Sequence, residues 1–351
     1  MQSFDVSLRR LHATALAFGL GAASAFGAPL YHVTDLGTVQ TPLDTAVAAM
    51  NDSGQVAGSV LIDDALACVL FDHGTVTQLG APGGPGCFAR GLSDSGVVVG
   101  SELARDGSGT LHGFSWSRGN MVDLQADPNY PDSEAVGIDG HGEIVGNSFD
   151  MLQEEAFYDH RGTLRLVGVP PGALQVAAQA VNRGGDVAGN ALFISGHAHA
   201  FLFSRGEALD LGTLGGLSNG DSAGLAINEK RQVAGWSSGP GFRRHALLAS
   251  AGRLIDLGVL PAGDPYASSE ATGIDARGRV VGTSDDGAGN TVAFFYDGRK
   301  MRDLGKLLDD EGRQAWQLVS AHSINRRGEI SGMALSLADG SSHVFLASPV
   351  K

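Results

Sequence analysis

Histidine is the residue type whose spacing in this sequence most directly suggests chemistry. Four short apolar segments, which are similar to one another in sequence, each contain a histidine at the same place. These histidines are His112, His199, His245 and His343. A ring of imidazoles would bind a metal ion or transfer protons. The alternative, which we favour, is a structural histidine at the start of a strand, because equivalent positions in successive repeats are too far apart to share one ion. His197 lies on the same side of a strand as His199, but we identify no third ligand and predict no metal site.

A second group of candidates precedes an Asn, Asp or Ser that recurs along the chain. Glu134 and Glu270 stand five residues before it, and the residue three before it varies. If these positions surround one axis, two carboxylates with an arginine and a histidine would bind a cation or act as acid and base. The candidates for such a central channel are Arg90, Glu134, Gln179, Glu270 and His322.

Loops rich in Asp and Gly, at 106–109, 285–290 and 339–340, suggest calcium binding, since Ca²⁺ prefers several oxygen ligands. None has the spaced carboxylates of a calcium loop, so hairpin turns are the favoured alternative. The pattern G-x-S-x-G occurs at 216–220 and at 235–239, but neither stretch opens a predicted helix, as a nucleophile elbow requires, and the sequence contains no phosphate-binding Walker loop. We therefore assign no catalytic residue and predict no cofactor, with calcium or another divalent cation as the alternative.

The candidates recur because the chain is built from seven copies of one unit. In every copy an Asn, Asp or Ser is followed seven residues later by a glycine, and successive copies begin 42 to 50 residues apart. A period in this range indicates a repeat architecture. The seven segments are 51–58, 93–100, 139–146, 182–189, 228–235, 275–282 and 325–332.

Each copy predicts two β-hairpins, and hence a four-stranded antiparallel sheet. In the sixth copy the strands are expected at 271–274, 279–282, 292–296 and 301–305, with an Asp-Gly hairpin turn before the last. Four strands in each copy of about 40–50 residues are typical of a β-propeller. The residue two before the recurring Asn, Asp or Ser is always Ala, Gly or Ser, which suits the close approach of inner strands.

The two ends of the chain predict how the ring closes. The seventh copy lacks its fourth strand, whereas an unpaired strand of that type stands near the start, at 31–37. We therefore predict an all-β propeller of seven four-stranded blades, in preference to six or eight, in which the N-terminal strand closes the last blade. An open solenoid of stacked copies is the alternative, but it has no need of complementary ends. The propeller is expected to be a single domain over 26–351.

Composition and charge argue against several classes of protein. Glycine makes up 52 of the 351 residues, which disfavours a helical bundle because glycine destabilises helix interiors. Hydrophobic residues, at 43 %, supply enough apolar material for a core and disfavour intrinsic disorder. The formal net charge of −14, with no dense Lys/Arg patch, disfavours nucleic acid as a partner. We also find no transmembrane segment in the mature chain.

The first 25 residues have the features of a signal peptide. Two arginines precede an apolar stretch, and Ala-Ser-Ala at 23–25 predicts cleavage before Phe26, with cleavage after Ala28 as the alternative. A membrane anchor is the other interpretation, but the apolar stretch is too short to span a bilayer. We therefore expect a secreted or periplasmic protein. In an oxidising compartment Cys68 and Cys87 either pair across a short loop or remain two small buried thiols.

The long connections of the repeat are the expected binding surface. Turns inside the hairpins are short, whereas connections such as 125–133, 236–244, 259–269 and 305–317 are long and variable. In an up-and-down blade these connections fall on one face, and binding residues concentrate on variable loops over a rigid scaffold. Aromatic side chains there suit protein or sugar recognition, although each can instead pack its own loop. The candidates are Tyr130, Trp236, Tyr266 and Trp316.

The order of the motifs resembles a known repeat family. His-Ala-Phe-Leu-Phe at 199–203 is followed by Leu-Asp-Leu-Gly-Thr-Leu-Gly-Gly at 209–216, Ala-Ile-Asn at 226–228 and Gln-Val-Ala-Gly-Trp-Ser at 232–237. This order resembles the bacterial extracellular repeat of the HAF family, which is named for its His-Ala-Phe triplet, over essentially the whole mature chain. Several copies depart from the triplet, as in His-Gly-Phe at 112–114. The resemblance implies export and repetition, and it implies no catalytic residues.

Three functions are consistent with the sequence. The leading hypothesis is an exported, non-catalytic, monomeric scaffold that binds a protein or glycan partner through its long-loop face. The second is a hydrolase or lyase with a cation in the central channel. The third is a structural spacer of a cell surface or matrix. Other propellers do chemistry at the axis, but the fold alone does not establish an activity.

Overall fold

The computed structural model describes residues 30–39, 47, 49–62, 65–80, 86–104, 108–124, 129–160, 163–215, 220–239, 243–260 and 266–350. The predicted signal peptide lies outside these residues. Within them the chain forms 28 β-strands, which make seven antiparallel sheets of four strands each. The first strands of neighbouring sheets contact one another around a common axis, so each sheet is a blade of a closed ring. The predicted all-β propeller with seven four-stranded blades is confirmed.

Blades 1 to 6 each use four consecutive strands, ordered from the axis outwards. Blade 1 contains β2 (Ala49–Met50), β3 (Val56–Ile62), β4 (Ala65–Asp72) and β5 (Thr75–Gln78). Blade 2 contains β6 (Cys87–Leu92), β7 (Val98–Leu103), β8 (Leu111–Ser117) and β9 (Asn120–Asp123). Blade 3 contains β10 (Asp132–Ile138), β11 (Ile144–Phe149), β12 (Glu154–His160) and β13 (Thr163–Leu166).

The next three blades repeat this arrangement. Blade 4 contains β14 (Ala173–Val181), β15 (Val187–Phe193), β16 (Ala198–Ser204) and β17 (Glu207–Gly212). Blade 5 contains β18 (Ser222–Ile227), β19 (Val233–Ser238), β20 (Arg244–Ser250) and β21 (Arg253–Gly258). Blade 6 contains β22 (Ser269–Ile274), β23 (Val280–Asp285), β24 (Thr291–Tyr296) and β25 (Met301–Asp303).

Blade 7 joins the two ends of the described chain. It contains β26 (Trp316–Ile324), β27 (Ile330–Ser336) and β28 (Ser342–Pro349), and its outermost strand is β1 (Tyr31–Thr38). The β1 and β28 strands are antiparallel, with Tyr31 opposite Pro349 and Thr38 opposite His343. The predicted closure by the N-terminal strand is therefore confirmed, and the open solenoid is wrong. Pairing with β1 removes the free edge that β28 would otherwise present.

The alternation of strand direction gives the ring two different faces. Within each blade, the turns between strands 1 and 2 and between strands 3 and 4 reach one face, which we call the short-turn face. The connections between strands 2 and 3 and between successive blades reach the other, the long-loop face. The connection before β26 carries a 3₁₀ turn (Gly305–Leu307) and the short helix α1 (Asp310–Ala315) on the long-loop face.

Small residues let the inner strands come together at the axis. A Cβ atom on Gly91 would lie 3.2 Å from Cα of Gly137 in the next blade, and one on Gly273 would lie 2.8 Å from the carbonyl oxygen of His322. Backbone therefore packs against backbone where the blades converge, as the run of small residues predicts. The hydrophobic clusters lie between the blades, and one of the largest is between blades 6 and 7 around Tyr31.

The turn between strands 1 and 2 needs a positive φ at its fourth residue, three after the recurring Asn, Asp or Ser. Glycine supplies it in most blades, as at Gly278 with φ +86°. Blade 5 has Arg231 there, which the sequence predicts to weaken the turn, and Arg231 adopts a φ of +59°. Its Nε atom lies 3.1 Å from Oδ2 of Asp186 in blade 4. An ion pair to the neighbouring blade thus accompanies the strained backbone.

Cys68 and Cys87 form a disulfide between blades 1 and 2. Cys68 lies in β4 and Cys87 in β6, with Cα atoms 5.4 Å apart, and both side chains are buried. At three later interfaces a serine holds the position of Cys87, and its Oγ accepts a hydrogen bond from a backbone N–H of the preceding blade. These contacts are Gly113–Ser133 at 3.0 Å, Ala200–Ser222 at 2.8 Å and Ala246–Ser269 at 2.8 Å. The disulfide therefore replaces a polar contact between blades with a covalent one.

Candidate functional site

Each of the four repeated histidines pairs with an aspartate on the outer strand of its own blade. The Nδ1 atoms lie about one hydrogen bond from the carboxylates, and the aspartate belongs to the recurring Asp-Leu-Gly or related segment. The pairs are His112–Asp123 at 2.9 Å, His199–Asp210 at 3.1 Å, His245–Asp256 at 2.9 Å and His343–Asp35 at 3.0 Å. The histidines therefore fasten strand 3 to strand 4, which agrees with the structural interpretation that we favoured.

In six of the seven blades the His–Asp pair is either present or absent as a unit. Blade 1 has Ala67 and Gln78 at the two positions, and blade 3 has Glu155 and Leu166, so both members are lost together. Blade 6 keeps Asp303 without a histidine, and its carboxylate pairs with Lys306 at 3.3 Å. This covariation between copies is a sequence signal that predicts the contact.

The other histidine geometries also serve local structure. His197 Nδ1 lies 3.3 Å from Asp221, so His197 and His199 face different carboxylates. In blade 7 the Nε2 atom of His343 lies 2.8 Å from Ser341 Oγ, which gives a hydroxyl–imidazole–carboxylate series. Ser341, however, donates its own proton to Asp339 at 2.6 Å, so the imidazole is not placed to remove it. The series therefore holds a hairpin turn.

The recurring Asn forms its turn and also links neighbouring blades. Its Oδ1 accepts from the backbone N–H groups two and four residues on, as Asn228 does from Lys230 at 2.9 Å and Gln232 at 3.1 Å. Its Nδ2 donates to the carbonyl oxygen of the equivalent residue in the next blade. These bonds are Asn51–Ser93 at 3.1 Å, Asn182–Asn228 at 3.0 Å, Asn228–Asp275 at 2.9 Å and Asn325–Asn51 at 3.2 Å. The bond from Asn325 to Asn51 joins blade 7 to blade 1, where the ring closes.

Asp139 leaves this set of links incomplete in blade 3. Its Oδ1 accepts from the backbone of His141 and Glu143, both at 2.8 Å, but its buried Oδ2 has no hydrogen-bond partner among the described residues. Asp139→Asn would supply a donor for the carbonyl oxygen of Asn182, as Asn does in other blades. We expect this substitution to raise the free energy of unfolding by about 1 kcal/mol, measured by chemical denaturation.

The matched control is Asp275→Asn, the same change at the equivalent position of blade 6. There Oδ2 accepts from Arg279 Nε at 2.6 Å, and both side chains are largely buried. Removing the charge from one member of a buried pair is expected to lower stability. If Asp139→Asn lowers stability as Asp275→Asn does, the linking role assigned to the recurring Asn is wrong.

Charged side chains meet at the short-turn end of the axis. Arg183 of blade 4 forms an ion pair with Asp94 of blade 2, and Arg326 Nε lies 3.2 Å from Asp52 Oδ2. Arg183 passes Gly140 of blade 3, where a Cβ atom would lie 2.4 Å from the Arg183 Nε. The turns of all seven blades border a cavity of about 180 Å³ here. The charged groups at this end are thus largely engaged with one another.

The structure brings together two of the five predicted channel residues. Arg90 Nη2 lies 3.9 Å from Glu134 Oε2, and Glu134 Oε1 accepts a hydrogen bond from Asn147 at 3.2 Å. Glu270 pairs instead with Arg244 of the preceding blade, at 3.2 Å. The two carboxylates therefore have different cationic partners.

Three of the five channel candidates share a backbone feature. Arg90, Gln179 and His322 are each the unpaired residue of a β-bulge in an inner strand. His322 Nε2 lies 3.0 Å from Ser320 Oγ. In the part of the chain that the structure describes, no three His, Cys, Asp or Glu side chains group closely enough to hold a metal ion. The five candidates do not form one constellation there.

The two tryptophan candidates pack against other side chains of the protein. Trp236 lies in β19 beneath Arg244, whose guanidinium carbon is 4.0 Å from the ring centroid, and Arg244 is the partner of Glu270. Trp316 begins β26 and packs edge-on against His343, with ring centroids 4.9 Å apart. Both rings therefore have neighbours that account for their placement at the edge of the long-loop face.

The two tyrosine candidates lie in connections between blades. Tyr266, before β22, is 75 % exposed. Tyr130, before β10, donates from its hydroxyl to Gln153 Oε1 at 3.3 Å. Tyr130 also lines a cavity of about 380 Å³ on the long-loop face, between blades 3 and 4. A cavity of this volume lies within the range of ligand sites in proteins.

Large apolar side chains surround this cavity, and sequence reasoning did not identify them. We call the group the blade 3–4 patch, and it consists of Met151, Leu152, Leu166, Val169 and Leu174. Leu166, Val169 and Leu174 line the cavity, and Met151 and Leu152 directly precede its lining residue Gln153. Because these residues come from three separate segments without a shared repeat position, no spacing in the sequence connects them.

The floor of the cavity is acidic. Glu154 and Glu155 line it and are half-buried. Burial, and then the negative charge of Glu134, raise the pKa of the Glu154 carboxyl. The site therefore combines an apolar rim with carboxylates that a nearby cation would stabilise. We also find no helix in the described residues that is long and apolar enough to span a membrane.

Comparisons with known proteins support the fold. No family model matches the sequence, and no curated protein matches it. The structure is similar to a puromycin-hydrolysing peptidase of Mycobacterium tuberculosis, with a TM-score of 0.53 and 11 % identity over 90 % of this chain and 56 % of that chain. It is similar to an acylaminoacyl peptidase, with a TM-score of 0.51 and 12 % identity over 83 % of this chain and 50 % of that one.

A prolyl endopeptidase gives a comparable result, with a TM-score of 0.51 and 14 % identity over 76 % of this chain and 40 % of that one. This chain therefore spans about half the length of these structures, or less. At such identities the likeness concerns the fold and not the activity. The geometry and the comparisons together show a seven-bladed β-propeller.

Proposed function

We propose that the protein is an exported, non-catalytic scaffold that binds a protein partner through the blade 3–4 patch. The observation that carries this proposal is the exposure of the patch beside a cavity. Met151, Leu152 and Leu174 are 100 %, 87 % and 61 % exposed. Grouped large apolar side chains on a protein surface are typical of interaction sites.

The patch is held in place before any partner arrives. Asp150 Oδ1 accepts hydrogen bonds from the backbone N–H groups of Leu152 at 2.7 Å and Gln153 at 2.8 Å. This turn holds the backbone that carries the two apolar residues at the tip of the connection between β11 and β12. A preformed surface loses less conformational entropy on binding than a flexible loop.

The charges around the cavity indicate which partner segment it suits. Glu154 and Glu155 lie under the apolar rim, and Glu134 adds negative charge nearby. A partner segment with large apolar side chains next to Lys or Arg would cover the rim and pair with these carboxylates. We therefore infer a basic, apolar segment of a protein.

Export is a second element of the proposal. It is supported by the signal-like first 25 residues and by the resemblance to the HAF repeat. The buried disulfide between Cys68 and Cys87 also suits an oxidising compartment. We propose a secreted or periplasmic protein of the HAF type on these grounds.

A peptide selection tests the binding proposal. Residues 26–351 would be immobilised and used to select from a random peptide display library. We expect the enriched peptides to combine large apolar residues with Lys or Arg. Binding of these peptides to the Leu152→Asp/Leu174→Asp variant is expected to fall about tenfold or more, because two charges would replace the apolar rim.

The matched control is Val76→Asp, which introduces a charge at a 52 % exposed apolar residue of the outer strand β5, far along the ring. This variant is expected to bind as the unchanged protein does. Thermal melting of all variants would verify folding. Peptides that bind equally to the patch variant, or binding of a glycan array but of no peptide, would contradict the proposed protein partner.

A further inference from the structure

An apolar groove lies between blades 4 and 5 on the short-turn face, opposite to the face of the blade 3–4 patch. We call it the blade 4–5 groove. Its volume is about 430 Å³, and its apolar wall is formed chiefly by Leu202, Leu209, Leu211 and Leu254. Leu209 is 55 % exposed. Four leucines at one interface between blades are therefore only partly covered by the protein itself.

Comparison with another interface shows why this groove is open. Between blades 6 and 7 the positions of Leu202 and Leu211 are taken by Phe295 and Leu304, which are fully buried in a large cluster with Tyr31. Between blades 4 and 5 the fully buried part of the cluster consists of the smaller residues Ala188, Val233 and Ala249. The smaller cluster leaves the outer leucines without a covering layer.

The rim of the groove is basic, although the chain as a whole carries a net charge of −14. Lys230, Arg231 and Arg253 line it, from the two short turns of blade 5. Arg231 is paired with Asp186 of blade 4. Neither Lys230 nor Arg253 forms an ion pair with any acid in the described residues.

The one carboxylate in the lining is already engaged. Asp210 accepts a hydrogen bond from His199 Nδ1 at 3.1 Å and another from the backbone of Gly212 at 2.7 Å. It is therefore occupied within its own blade. The two unpaired cations beside four leucines give the groove a charge pattern opposite to that of the blade 3–4 patch.

We infer that the blade 4–5 groove is a second binding site, which takes an acidic, apolar peptide segment. Its leucines would receive one or two large apolar side chains of the segment. Lys230 and Arg253 would pair with adjacent Asp or Glu residues, with the two cations supplying both affinity and orientation. The inference does not depend on the proposed function, because the groove and the patch share no residue.

Fluorescence polarisation with labelled peptides tests this inference. The probe is fluorescein-labelled Gly-Leu-Phe-Asp-Asp-Gly. Two control peptides are compared with it: in one, Lys replaces both Asp residues, and in the other, Ser replaces Leu and Phe. We expect saturable binding of the acidic apolar probe alone, and weaker binding at higher salt. Arg253→Glu is expected to weaken binding about tenfold or more. Leu209→Ser is expected to weaken it without a change of charge.

The matched control is Lys300→Glu, which makes the same charge change at the equivalent exposed turn position of blade 6. Its binding is expected to stay within about twofold of the unchanged protein, as usual for additive, distant sites. If Arg253→Glu and Lys300→Glu weaken peptide binding equally, long-range electrostatics would explain the effect, and the inference would be overturned. Direct, saturable binding of dodecanoate together with no binding of any peptide would also overturn it, in favour of a lipid site.

Discussion

Tyr31→Ala is expected to lower the free energy of unfolding by about 3–5 kcal/mol, as removal of a large aromatic core side chain does. Tyr31 is fully buried on the outermost strand of blade 7, and its ring packs edge-on against Phe295 of blade 6 with centroids 5.9 Å apart. It therefore ties the N-terminal strand to two blades formed near the other end of the chain. Denaturant unfolding measures the effect.

Tyr31→Phe is the matched control. The Tyr31 hydroxyl is buried without a hydrogen-bond partner in the described part of the chain, and burial raises the pKa of Tyr31 to about 12. Removing this hydroxyl keeps the ring and removes an unsatisfied polar group, so stability is expected to hold or rise. If Tyr31→Ala leaves the free energy of unfolding as unchanged as Tyr31→Phe does, the N-terminal strand does not hold the ring closed.

Gly282→Ala is expected to destabilise the protein by about 3 kcal/mol or more, at the upper end of the cost of overpacking. A Cβ atom at this position would lie 2.0 Å from the carbonyl oxygen of Glu270, where the inner strand bulges towards its neighbour. Backbone occupies that space, so a small change of rotamer cannot relieve the clash. The same close approach recurs at the glycine that closes each of the repeat segments of blades 2 to 7.

Gly86→Ala is the control for this prediction. Gly86 precedes an inner strand, and a Cβ atom there would have its nearest contact at 4.0 Å, with the flexible side chain of Leu103. We expect a change in the free energy of unfolding within about 0.5 kcal/mol, as for ordinary surface positions. If Gly282→Ala and Gly86→Ala lower the free energy of unfolding by similar amounts, lack of space for a Cβ atom is not the reason for the closing glycine.

The fold is predictable from the sequence because the repeat carries it. The spacing from the recurring Asn, Asp or Ser to a glycine seven residues on gives the blade count, and the complementary chain ends give the closure. The His–Asp pairs are also predictable in principle, since His112 and Asp123 occur together whereas blades 1 and 3 lack both residues. Contacts that recur at fixed positions leave a trace in every copy.

The candidate binding surfaces are not predictable in this way. The blade 3–4 patch unites Leu152 and Leu174 from connections that differ in every copy, and its cavity exists because of how blades 3 and 4 stand side by side. The link from Asn228 to the carbonyl of Asp275 is likewise a contact between copies, and the turn chemistry of one copy does not reveal it. The sequence pattern within one repeat predicts the strands of a blade. The candidate binding surfaces depend on how neighbouring blades pack, which that pattern does not contain.

Peroxide oxidation of Met151 measures directly whether the blade 3–4 patch is where a partner binds. Met151 is fully exposed, whereas Met301 and Met333 are buried, so oxidation should begin at Met151. We expect a saturating peptide from the selection to slow formation of Met151 sulfoxide several-fold, with no change at the half-buried Met121 in blade 2. Oxidation of Met151 at an unchanged rate with the peptide bound would contradict binding at the patch.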